Sequence, residues 1–157
     1  MLNSGRSGSS RNHNNKDRAK KIVIKVPSEI GYLSKVSSEI LESLAPYRMD
    51  EAALFDIRLC VEEAVWNAIV HGNHCDKSLS VEITYRVEQD KLNIEVADSG
   101  KGFDHARLPD PTKDENLTRN NGRGVYLIKR LMDVVEYNES GNKIKMVKSL
   151  KAITRGR

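Results

Sequence analysis

No stretch of this chain strings together enough apolar residues to span a bilayer as a helix, so no membrane partner is expected. No apolar segment follows the N-terminus, so no secretory signal is expected. Cysteine is scarce: Cys60 falls on an apolar helical stretch and Cys75 in a loop. That argues against a disulfide framework and for a reducing cytoplasm. No G-x-x-x-x-G-K-[S/T] run occurs, which excludes a P-loop protein. His71, His74 and Cys75 complete no closed zinc pattern. There is no internal repeat.

What is present describes one ordinary domain. The 157 residues are 38% hydrophobic and 31% charged, enough for a real core. The net charge of +4 is unevenly spread. Arg6, Arg11, Lys16, Arg18, Lys20 and Lys21 against Asp17 give residues 1–21 a charge of +5, so the remainder carries −1. Residues 3–15 are rich in Gly, Ser and Asn and read as a solvated arm. The expected organisation is a flexible basic tail over 1–21, a folded domain over 22–150 and a short tail over 151–157. The basic character belongs to the tail, so no direct nucleic-acid binding is expected of the body.

Hydrophobic periodicity supplies the elements. Ile22–Val26 is β-branched and reads as a first strand. Ser28 is a candidate N-cap for a helix whose stripe runs Ile30, Leu33, Val36, Ile40, Leu41 and Leu44. Asp50 opens a second helix that continues to Gly72, with Ile57, Val61, Ala64 and Ala68 on its buried face. Val81, Ile83, Tyr85 and Val87 alternate with Glu82, Thr84 and Arg86. Leu92, Ile94 and Val96 alternate in a return strand after the turn Glu88–Asp90. Residues 99–121 read as a long loop, a length that in a compact domain is usually functional or disordered. A third helix is expected over Gly124–Met132, and a last hairpin over Val134–Asn138 and Lys143–Val147. The pattern predicts an α+β two-layer sandwich, with helices on one face of a mixed, largely antiparallel sheet.

Three motifs carry chemistry. On the second helix Glu63, Asn67 and His71 lie four residues apart and stack on adjacent turns. A carboxylate one turn from a carboxamide, at the shoulder of an apolar face, suits a hard cation and a positioned base. Asp98-Ser99-Gly100-Lys101-Gly102-Phe103 follows a strand, where a carboxylate can accept from an exocyclic amine and the glycines admit a flat ligand. Asn120-Asn121-Gly122-Arg123-Gly124-Val125 opens a helix whose free N–H groups can take phosphate, with Arg119 and Arg123 adding positive charge. Each motif alone also fits an ordinary turn, cap or solvated helix side. Trp66 lies opposite the stripe and is expected to pack under the first helix.

Taken in order, these motifs resemble the GHKL ATPases, the superfamily of gyrase, Hsp90, histidine kinases and MutL. Within it, Glu63–Gly72, Asp110-Pro111 and Gly122–Ile128 with Leu131-Met132-Asp133 are similar to the anti-sigma factor serine kinases, over about residues 20–150. The resemblance implies the GHKL (Bergerat) sandwich, ATP and Mg²⁺. It implies Asn67 as the Mg²⁺ ligand, Glu63 as general base and Asp98 as reader of the adenine amine. Gly100, Gly102 and Phe103 would line the adenine pocket, and Arg119, Gly122, Arg123, Gly124 and Val125 would hold the phosphates. It further implies a protein-serine kinase and anti-sigma factor, with a STAS-domain anti-anti-sigma protein and a sigma factor as partners, often as a homodimer. One departure stands out: Asn142 follows Gly141 where the family often has threonine. The competing expectations are a non-catalytic ATP-binding interaction module and a detached histidine-kinase catalytic domain. His13, His71, His74 and His105 are poorly placed as phosphoacceptors for the latter.

Overall fold

A computed structural model describes residues 19–100 and 122–151. The expected basic tail up to residue 18, the end of the C-terminal tail and loop residues 101–121 lie outside them.

The elements run β1 (Ile22–Pro27), α1 (Leu33–Ser43), α2 (Glu51–Asn67), β2 (Ser80–Glu88), β3 (Lys91–Ala97), α3 (Arg123–Leu131), β4 (Val134–Tyr137) and β5 (Lys143–Ser149). The five strands form one sheet in the order β1-β2-β3-β5-β4, and all four pairings are antiparallel. The helices cover one face, which gives the expected α+β sandwich. Among the described residues no helix is long and apolar enough to cross a membrane.

Alternation decides which side of each strand is dry. Val81, Ile83, Tyr85, Leu92, Ile94, Val96, Ile144 and Met146 are buried under the helices. Their neighbours turn outward, where Glu95 meets Lys143 at 3.7 Å and Glu136 meets Lys145 at 3.8 Å. These exposed pairs contribute little stability. The β2–β3 turn places Gln89 and Asp90 at φ 52° and 56°. Two consecutive left-handed residues match the right-handed strand twist, which selects this tight turn although neither is glycine.

Asp50 caps α2 as its position suggests, Oδ1 accepting from Ala53 N–H at 2.7 Å. Ile57, Val61, Ala64 and Ala68 are buried as their spacing predicts, with Cys60 and Val65 beside them. Both cysteines are free, and burial pushes the Cys60 thiol up to about 12, which leaves it inert.

Two expectations are corrected. Ser28 is not a helix cap: it is buried, and its hydroxyl donates to Leu79 O at 2.8 Å. A single 3-10 turn, Ile30–Tyr32, leads into α1 without any side-chain cap. The second helix is also not α-helical to Gly72. After Asn67 it widens into a π turn over Ala68–Gly72, closed by Asn73 N–H donating to Ala68 O at 2.8 Å. Such wide turns occur frequently at functional sites.

Replacing Ile94, fully buried on the central strand β3, by alanine is expected to cost about 2–5 kcal/mol. Asp50→Ala removes only a cap and is expected to cost about 1 kcal/mol. Urea midpoints check the order, and an Asp50 loss equal to that of Ile94 would contradict this division.

Candidate functional site

Glu63 and Asn67 occupy successive turns near the end of α2, and the start of α3 lies directly on them. A Cβ built on Gly124 would strike the Glu63 Oε2 and stand 3.5 Å from Asn67 Nδ2. A larger residue there would have to push the Glu63 carboxylate aside. Gly122, just ahead of α3, has φ 141°, a backbone conformation that also favours glycine. Glu63 shares a groove with Leu33, Trp66, Arg123 and Gly124. Trp66 is half-buried there, and its ring meets His71 edge-on at 5.2 Å between centroids. Burial raises the Glu63 carboxyl above the usual carboxylate range, which makes it a stronger proton acceptor once ionised.

On the other side of Asn67 a narrow cleft opens. Ala64, Ala68, Val96 and Ile144 give it apolar walls, and Asn67, Asp98 and Asn142 supply polar groups. Asp98 sits just past β3. Its Oδ1 accepts from Gly100 N–H at 2.8 Å. Burial raises its carboxyl, while that N–H and the charge of His74 pull the other way. The π turn brings Gly72 so close that a Cβ there would lie 2.6 Å from Asp98 Oδ1, and one on Gly100 would lie 2.8 Å from the Gly72 carbonyl carbon. Tyr137 closes the cleft, its hydroxyl pushed up to about 12 by burial.

Asn67 therefore borders two compartments. One is a narrow cleft with a carboxylate at its edge, which can accept a hydrogen bond from an amine. The other holds a carboxylate beside a helix N-terminus, suited to an anionic group and a proton transfer. Among the described residues no three His, Cys, Asp or Glu side chains gather as a metal site. A divalent cation would need the Asn67 oxygen and oxygens of its ligand, the mode Mg²⁺ commonly takes with phosphates.

Glu63, Asn67, Asp98, Gly100, Gly122, Arg123 and Gly124 thus fall around one site. Val125 is buried. Gly102, Phe103 and Arg119 lie outside the described residues. Sequence reasoning missed Asn73, which is buried and bonded to three separate segments. Its only signal was an asparagine directly after the helix-ending glycine. A larger groove lined by Met49, Asp56, Asp133 and Lys148 contains none of these residues.

The family described as histidine kinase-like ATPase domain matches residues 26–148. Serine-protein kinase RsbW from Staphylococcus aureus strains JH9 and Newman is 30% identical over 138 residues, covering 83% of this chain and 87% of the relative. A crystal structure of the RsbU and RsbW domains of a Mycobacterium tuberculosis protein superposes with a TM-score of 0.53 at 17% identity. That match covers 83% of this chain and 32% of the other, so the chain spans about a third of it, and the likeness is one of fold.

Burial sets a pH dependence for Glu63. Its folded form holds the proton more tightly than the unfolded chain, so ionisation destabilises the fold. The penalty is absent below the ordinary value of 4.5 and complete once pH passes the raised value. Glu63→Gln is expected to melt above the wild type at neutral pH and to lose that advantage on acidification. Thermal melts across pH check it, and a variant less stable at neutral pH would contradict it.

Proposed function

The chain belongs to the histidine kinase-like ATPase domain family, as an RsbW-type kinase of the GHKL superfamily, and on that premise we propose a specific role. It is a Mg²⁺- and ATP-dependent protein-serine kinase acting on a STAS-domain anti-anti-sigma protein. It also sequesters a sigma factor once that partner is phosphorylated. Residues 22–150 form the ATP-binding domain, and its work is cytoplasmic.

The observation that carries this reading is the seat of Gly124 on Glu63 and Asn67, with the Asp98 cleft adjoining. Adenine would lie in the cleft with its amine donating a hydrogen bond to Asp98. The phosphates would reach past Asn67 to the N–H groups at the start of α3. Bound Mg²⁺, held by Asn67 and phosphate oxygens, would supply charge neutralisation. Glu63 would accept the proton of the partner's serine hydroxyl as that oxygen bonds to the γ-phosphorus. The bond from the γ-phosphorus to the bridging oxygen breaks, and ADP leaves. Arg123 adds positive charge beside the transferred group. Phosphoryl transfer depends mainly on such positioning and charge placement, which matches the absence of any nucleophile among these side chains.

Intact-mass analysis of the full chain with Mg-ATP and each STAS-domain protein of the same organism tests the reading. One phosphate is expected on one partner. Glu63→Ala is expected to slow transfer by about 10²–10⁴-fold with ATP binding retained. Undiminished transfer in that variant removes Glu63 as base. ATP binding without transfer to any partner would instead favour a non-catalytic interaction module.

A further inference from the structure

The turn that carries Asp98 is gripped from both sides by asparagines. Asn73, only 1% exposed, uses its whole carboxamide. Its Nδ2 donates to Ser28 Oγ at 2.9 Å and to Ser80 O at 3.1 Å, and its Oδ1 accepts from Ser99 N–H at 2.9 Å. With both amide hydrogens committed, the oxygen has to face the turn. On the opposite side Asn142 Oδ1 accepts from Asn138 Nδ2 at 2.7 Å. That fixes its own Nδ2 toward Asp98 O at 3.4 Å and Gly100 O at 3.5 Å. The main chain of Asn142 adds a further hold, its carbonyl accepting from Asp98 N–H at 3.0 Å.

Within the turn itself, Gly100 N–H occupies Asp98 Oδ1, so ligand recognition falls to Oδ2. The carboxylate plane is set by that bond, and the bond is set by the path of residues 98–100. That path is in turn held by side chains from the α2–β2 connection and the β4–β5 hairpin. Asn73 is tied through Ser28 to the end of β1 as well, so the turn is referenced to three strands.

We propose that Asn73 and Asn142 are positioning residues that aim the Asp98 carboxylate, and thereby determine selection of a purine bearing a 6-amino group. The proposal rests on the reading of the cleft as an adenine pocket. A carboxylate turned out of the ring plane loses the amine hydrogen bond, yet stacking in the slot and the phosphate contacts remain. The clamp therefore governs discrimination between bases more than binding of nucleotide as such.

The test is titration of the full chain with Mg-ATP and with purine riboside triphosphate, which differs only in lacking the 6-amino group. The wild type is expected to prefer ATP by about tenfold or more. In Asn73→Ala and Asn142→Ala the affinity for the analogue is expected to hold while that for ATP falls, taking the ratio toward one. Circular dichroism verifies the fold of each variant. Asn142 lies on a surface hairpin, so its variant carries the test if buried Asn73 proves indispensable for folding. An unchanged ratio in the folded variants, or equal loss for both nucleotides, overturns the clamp. A wild type that does not discriminate overturns the adenine assignment of Asp98 itself, a distinguishable failure.

Discussion

The close approach of Gly72 to the turn after β3 is the contact on which the site depends. Helix and sheet normally meet through side chains, at a separation those side chains set. Here two backbone segments touch with nothing between them, because neither Gly72 nor Gly100 carries a Cβ. The Asp98 carboxylate fills the space a side chain on Gly72 would have taken. A second glycine, Gly124, brings the α3 backbone onto the Glu63 carboxylate of α2. Two glycine contacts thus pull three elements around Asn67, and the cleft and groove are the spaces left between them.

This closeness has a stability cost that the core must offset. Glu63 and Asp98 are both partly withdrawn from water, and burial raises both carboxyls. Among the described residues neither forms a salt bridge to compensate. The apolar layer beneath, from Ile57 and Val61 on α2 to Ile83, Ile94 and Met146 on the sheet, is fully buried and well able to bear that load. An apolar two-layer body supporting a partly desolvated polar rim is the usual division of labour between fold and function.

How much of this could be read beforehand followed from the range of each interaction. The strands, their turns and the Asp50 cap were legible because each depends on residues within a few positions. The buried stripe of α2 was legible for the same reason. Ser28 misled because its hydroxyl serves Leu79, 51 residues away, while its local pattern was that of a cap. The π turn left no trace, since Ala68–Gly72 suits an α-helix equally well. Glu63, Asn67, Asp98 and Gly124 stand out in the sequence because their spacings form a pattern in order along the chain. Asn73 was not, because its partners, Ser28, Ser80 and Ser99, come from three segments that only the fold brings together.

The π turn over Ala68–Gly72 amounts to one extra residue stitched into the end of a helix. An α-helix advances about 100° per residue, so this single residue sets the phase of everything after it. Without it, the position that faces Asp98 would be taken by a neighbour carrying a side chain, and Asn73 would swing away from Ser99. The length of this segment is therefore as constrained as its composition: point changes on its outer side can be absorbed, whereas deleting Val70 would unlock the cleft without touching a single residue that lines it.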